Sequence, residues 1–276
     1  MNETQIEYWN GPRGHSWVAD QELRDHSLAP FGDACMRLAK HSPGERVVDV
    51  GCGCGASVLA LASAVGAGGH VLGVDVSAPM LERARRRTAP LANVSLLRAD
   101  AAGHAFDGRA QLVHSRFGVM FFEDPPAAFA NLRRALAPGG RLAFICWRGL
   151  DENRWMSVPA EAVRRALPSL PPAVLGGPGP LSLADPDLLR TLLEGAGFRE
   201  VVLQPFDHSM PLGNGQGLEA AATEAMTLGP AARLLANVEE PDRARALSAI
   251  REALAPHVRG SDVALAGATW LASARG

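Results

Sequence analysis

VVDVGCGCGA, residues 47–56, decides the fold. The β-branched residues Val47, Val48 and Val50 make an apolar run that meets glycines at 51, 53 and 55, and the helix-forming run Ser57 to Ala62 follows. The order is strand, glycine turn, helix. Glycine lets the chain bend sharply and lets a ligand approach the backbone where a Cβ would collide. The helix start beyond it offers N–H groups to an anion or polar ligand. HVLGVD, residues 70–75, then reads as a second short strand ending in an acid, at the separation expected of one strand–helix–strand unit. In such a unit the acid lands beside the glycine turn, where it can accept both hydroxyls of a ribose, so the two motifs together point to a nucleoside-containing ligand. A plainer role for Asp75 is to cap the helix that opens near Ser77.

Outward from this centre the pattern repeats. Ser77 and Pro79 open a helix that runs through Arg87. Asn93 to Asp100 reads as a third strand ending in an acid and Gln111 to Ser115 as a fourth. A helix from Asp124-Pro125 through Leu136 stops at Pro138-Gly139-Gly140, and Arg141 to Trp147 is a fifth strand. Alternation of this kind predicts a parallel sheet with helices on both faces, with ligands at the carboxyl ends of the strands, where Gly51, Asp75, Asp100 and Ser115 fall. Upstream, two helices separated by Pro30 are expected before Pro43, bearing Tyr8, Trp9 and Trp17 as aromatics that can close over a ligand or pack on the core. Downstream, Asn153 to Leu167 reads as a helix, Pro168 to Pro186 as a proline- and glycine-rich surface connection, Asp185 to Ala196 as a capped helix and Phe198 to Phe206 as a sixth strand. A helical stretch from Leu218 to Pro256 precedes a last strand, Val263 to Ala272, and is long enough to be expected over the site.

Composition narrows the partner. Nearly half of the 276 residues are hydrophobic, and the formal net charge of -2 gives no electrostatic reason to expect nucleic acid or an anionic membrane. Cys35, Cys52, Cys54 and Cys146 lack the paired spacing of a zinc site, so no metal is expected, and a reducing, cytoplasmic setting fits them. The N-terminus lacks the basic start and apolar core of a signal peptide, and no apolar run reaches membrane-spanning length. A small molecule is the expected partner, with the chain a monomer or homodimer.

The motifs VVDVGCGCG, GVDVSAPMLERAR, LLRADAA, HSRFGVMFFEDPPAAF and LRRALAPGGRLAFICW, in this order, resemble those of the class I S-adenosylmethionine-dependent methyltransferases, in particular the bacterial small-molecule group related to the ubiquinone/menaquinone methyltransferases. The closing GATWLASAR is similar too. The resemblance implies a Rossmann-like, doubly wound α/β sheet of seven strands, order 3-2-1-4-5-7-6, with the last strand antiparallel. It divides the chain into a helical lid (1–43), a cofactor-binding core (44–150) and the rest of the sheet (151–276) with a cap at about 208–258, all in one compact domain. It also implies S-adenosyl-L-methionine as cofactor and S-adenosyl-L-homocysteine as product. Gly51, Gly53 and Gly55, with Asp49 and Cys52 of the same turn, would lie beneath the methionine part. Asp75 would hold the ribose, Asp100 and backbone of Ala101 the adenine amino group, and Val76 and Met80 the adenine ring. Ser115 and Phe117 would lie near the sulfonium, with Trp9 and Trp17 closing over the cofactor.

The acceptor is expected between Phe117, Met120, Phe121, Trp147 and Trp155, whose rings suit a planar, aromatic or prenyl-like natural product of secondary metabolism, methylated on carbon, oxygen or nitrogen. Candidate bases are His15 first, then Tyr8, His114 and His208. Two other readings compete. A methyltransferase fold can bind the cofactor without methylating, as a cyclase or binding protein. An NAD-dependent oxidoreductase would also use Gly51, Gly53 and Ala56, but the lone tyrosine, Tyr8, and lone lysine, Lys40, stand far apart and away from the sheet. A nucleic-acid enzyme would be expected to carry a catalytic Pro-Pro-aromatic tetrad after the fourth strand, where His114 to Phe117 stand instead.

Overall fold

The computed structural model describes residues 2–170 and 177–276. Five parallel strands come first: β1 (Arg46–Val50), β2 (His70–Asp75), β3 (Val94–Arg98), β4 (Ala110–Arg116) and β5 (Leu136–Trp147). They are joined by α4 (Ala56–Val65), α5 (Ala78–Thr88) and α6 (Pro125–Ala135), while α1 (Glu3–Asn10), α2 (Pro12–Ala19) and α3 (Gln21–Ala39) precede them. After β5 come α7 (Arg154–Ala166), α8 (Pro186–Gly195) and β6 (Arg199–Leu212), then α9 (Leu218–Ala225), α10 (Gly229–Leu234) and α11 (Glu240–Leu254), and finally β7 (Val258–Arg259) and β8 (Asp262–Arg275).

The sheet order is β3-β2-β1-β4-β5-β8-β6, with β8 antiparallel to both neighbours. This is the expected order with one addition: the two-residue β7 pairs with the start of β8, so there are eight strands rather than seven. Near-continuous apolar runs such as Val47-Val48 and Leu142 to Trp147 suit strands covered on both faces. α3, α4 and α5 pack on one face and α6 and α8 on the other. Leu61, Val65, Val71, Leu81 and Leu112 are fully buried on the first face, and Phe129, Leu132 and Phe144 on the second.

Three expectations change. Pro30 does not separate two helices: it lies inside the 19-residue α3, and the breaks fall at Gly11 and Asp20. Proline removes one backbone donor from the helix, but Leu28, Phe31, Ala34 and Cys35 bury that face of α3, and burial outweighs the local preference. β6 runs six residues further than expected, because its pairing with β8 continues to Leu212 opposite Val263, which puts His208 inside the strand. β8 likewise extends to Arg275. Of the expected Pro168–Pro186 connection, residues 171–176 lie outside the described residues. Among the described residues no helix is long and apolar enough to cross a membrane.

Candidate active site

The glycine turn is built by three left-handed residues in alternation, Gly51 (φ 68°), Gly53 (φ 54°) and Gly55 (φ 86°). A Cβ on Gly51 would stand 2.6 Å from the Cα of Gly118, a backbone atom that cannot swing aside; one on Gly53 would meet only the movable Met80 methyl, at 2.9 Å, and there the left-handed backbone is what favours glycine. Asp75, at the end of β2, faces it: its Oδ2 accepts from Gly53 N–H and its Oδ1 from Ser77 N–H, both at 2.8 Å. Burial raises the Asp75 pKa, and the backbone donors at Ser77 and Gly53 work against that rise. A carboxylate held this way keeps acceptor capacity on both oxygens.

The N-terminal helices are fastened over this end. Asn10 donates to Val76 O (3.0 Å) and accepts from Ala78 N–H (2.9 Å), and Ser77 Oγ donates to Trp9 O (2.7 Å). Trp9 packs edge-on against Tyr8, Trp17 and Phe121. Two arginines tie the same helices to the stretch after β6. Arg13 donates to Thr227 O, while Arg24 reaches Glu224 Oε1 (2.8 Å), Thr227 Oγ1 (2.9 Å) and Asp20 Oδ2 (2.9 Å).

Between these layers lies an open cavity. Trp9, Trp17, Gly51, Cys52, Gly53, Asp75, Val76, Met80, Asp100, Ala101 and Phe117 all line it, as do Met120, Phe121, Trp147 and Trp155. Phe117 is left-handed (φ 62°), a sparsely populated conformation for a large side chain, and its ring stacks on Trp147 at 4.4 Å and 11°. Trp155 leans on Trp147 at 4.9 Å.

The structure does not bring the remaining residues to the cavity. Ser115 is buried beneath the turn, donating to Val50 O (2.8 Å) and accepting from Gly118 and Val119 N–H. Asp49 is also fully buried, accepting from Ser57 Oγ and from His114 Nδ1 at 2.7 Å. Gly55 starts α4 and packs against Ala84. Among the candidate bases only Tyr8 lines the cavity. His15 is exposed with its ring against Gly11 O, His208 is exposed on β6, and His114 sits in the core. Burial disfavours the His114 imidazolium, but the Cys35 sulfur and the Asp49 carboxylate outweigh it and raise the pKa to about 10. The cysteines of the turn are not ligands poised for metal: burial raises both thiols, Cys54 to about 12. Among the described residues no group of three or more His, Cys, Asp or Glu side chains could hold a metal ion.

Sequence reasoning missed the arginines of the cavity wall, Arg13, Arg24, Arg116 and Arg233, together with Leu28, Met210 and Leu228. Except for Arg116, which stands in HSRFGVMFFEDPPAAF, no motif marks them, because they reach the wall from α2, α3, β6, α10 and the residue before α10, which only the tertiary fold brings together.

Known proteins are similar to this chain in sequence and in fold. Residues 47–140 match the family described as a methyltransferase domain. Over 120 residues the chain is 37% identical to aklanonic acid methyltransferase DauC of Streptomyces sp. strain C5, covering 42% of this chain and 54% of that protein. It thus spans about half the length of that relative. Nocamycin O-methyltransferase of Saccharothrix syringae is 29% identical over 251 residues, with 85% of this chain and 86% of that one covered. A solved putative methyltransferase from Bacillus halodurans has a TM-score of 0.58 at 19% identity, covering 88% of this chain and 97% of that one, which is a likeness of fold.

Proposed function

We propose, for a chain whose residues 47–140 are a methyltransferase domain of the class I S-adenosylmethionine-dependent family, that it transfers a methyl group to a small natural-product acceptor carrying a planar aromatic or prenyl-like system. The observation that carries the proposal is the pairing, in one cavity, of Asp75 set against Gly53 with the stacked rings of Phe117 and Trp147. The first is a nucleoside cradle and the second a flat apolar box.

Asp75 accepts the ribose hydroxyls, Asp100 and Ala101 face the adenine edge, and Val76 and Met80 cover the ring. Gly51 and Gly53 line the cavity and lie beneath the methionine part. Trp9 and Trp17 close the cofactor end from the lid. Bound S-adenosylmethionine supplies an already activated methyl group, so what the protein adds is alignment and exclusion of water. Phe117, Met120, Phe121, Trp147 and Trp155 hold the acceptor against that methyl. Ser115 acts indirectly, fixing the loop that carries Phe117 and Gly118. The relatives named above act on aklanonic acid and, as an O-methyltransferase, on nocamycin chemistry, which supports a natural-product acceptor and oxygen as the receiving atom.

Thermal denaturation with S-adenosylmethionine, S-adenosylhomocysteine or NAD tests this. Either adenosyl compound at about 100 times its Kd stabilises the native state by about 2.7 kcal/mol. Asp75→Ala removes charge-assisted hydrogen bonds worth about 1.5–3 kcal/mol and abolishes most of that shift. A shift with NAD alone sinks the proposal.

A further inference from the structure

We infer that the acceptor is bound as an anion, a carboxylate on a flat ring system, gripped by Arg13 and Arg233 of the cavity wall. The inference rests on the methyl-transfer reading and names its substrate class.

Four arginines line the cavity, but their charges are answered unequally. Arg24 is charge-paired with Glu224 and Asp20 and donates to Thr227, although its Nε, like that of Arg13, is buried without a partner. Arg116 faces Asp25 at 3.7 Å, and that carboxylate already serves Arg87 at 2.8 Å. Arg13 and Arg233 have no carboxylate within 4.0 Å among the described residues, and residues 171–176, PPAVLG, contain none. Arg13 has one carbonyl partner, Thr227 O, and lies 5.5 Å from the Trp17 ring; its Nε is buried without a partner. Arg233 is exposed and, among the described residues, donates only to Pro178 O, at 3.2 Å. Burial pushes the Arg13 guanidinium below its ordinary value; the neighbouring charges of Arg24 and Arg233 push the same way, while Tyr8 and Asp20 work against them. A half-buried cation with an unused donor and cationic neighbours is a site built for an anion.

The other carboxylates on the wall, Asp75 and Asp100, belong to the nucleoside end and are engaged by backbone N–H groups of Gly53, Ser77 and Ala102. No histidine lines the cavity, and of the candidate bases only Tyr8 does. An acceptor that arrives ionised needs no base. Transfer to a carboxylate oxygen forms an O–C bond as the S–C bond breaks, with its electron pair left on sulfur. A cation and an anion become a neutral ester and a neutral thioether, and no proton moves.

The test uses isothermal titration calorimetry on the full chain saturated with S-adenosylhomocysteine, titrated with 2-naphthoate and, separately, with the uncharged 2-naphthamide. The carboxylate is expected to bind at least about tenfold more tightly, as one charge-assisted pair provides. Arg13→Gln and Arg233→Gln each reduce this preference and the double variant abolishes it, with S-adenosylhomocysteine still bound. Arg13→Lys, which keeps the charge, retains a preference for the anion, and melting temperatures report whether each variant is folded. Equal binding of the two probes, binding of neither at millimolar concentration, or a preference that survives in the double variant overturns the inference and leaves the methyl-transfer reading standing. Failure of the wild-type chain to bind S-adenosylhomocysteine overturns both.

Discussion

Gly51 shows how much one residue decides. Its left-handed backbone and the 2.6 Å approach to Gly118 Cα leave a methyl group nowhere to go, since both atoms belong to backbone. Gly51→Ala is expected to cost more than about 2 kcal/mol, the left-handed penalty plus displacement of the Gly118 loop; urea unfolding measures it. His114 makes a prediction of opposite character. Its pKa, raised to about 10, exceeds the ordinary imidazole value near 6.5, so the Asp49 pair stabilises fully below about pH 6.5 and is lost as pH rises through 10. The melting temperature of the wild-type chain should therefore fall between those pH values more steeply than that of His114→Asn. Parallel slopes would show that the imidazole does not carry the charge. At this scale the sequence is legible where a residue type is the only one that fits, as in the glycines and Asp75. It is silent on which way a strand residue turns: Ser115 and His114 stand at the right strand end, yet both side chains are enclosed by the turn and the core.

Between elements, the contacts that close the cavity come from far apart in the chain. Arg24 on α3 and Glu224 on α9 form a buried pair, and Glu224 also accepts from Gly213 N–H at 2.6 Å. Removing one partner of such a pair strands a buried charge, so Arg24→Met is expected to destabilise by about 3–5 kcal/mol, and adding Glu224→Met should restore most of the loss. Chemical denaturation of the two variants gives the comparison, and hydrogen exchange in α2 and α9 should rise in the single variant. If the double variant is no more stable than the single, the pair is not what joins the layers. None of this was readable beforehand. Arginines on helices read as solvated faces, and Pro30 reads as a break, because both readings use local chemistry while the outcome is set by what α3 packs against.

For the molecule as a whole, the sheet was the legible part. Strand, turn and helix signals recur with short spacings from Arg46 to Trp147 and give the parallel strands themselves, while their order, in which β4 returns to pair with β1, followed from the family resemblance. The ends of β6 and β8 were not legible, because their length is set by each other and no turn residue marks it. The two ends of the cavity differ in part in the same way: the nucleoside end is motif-borne, while the acceptor end adds to Phe117, Met120, Phe121 and Trp147 of the motifs side chains from α2, α3, α7, β6 and α10. That difference has a consequence in time. β6 has a single neighbour in the sheet, β8, made of residues 262–275. While the chain is being synthesised, the strands that carry Gly51, Asp75 and Asp100 can pair as soon as they emerge, but β6, with Met210 on the cavity wall, waits without a partner for some fifty residues more. A nascent chain can thus own a place for the nucleotide before it owns a place for anything to be methylated.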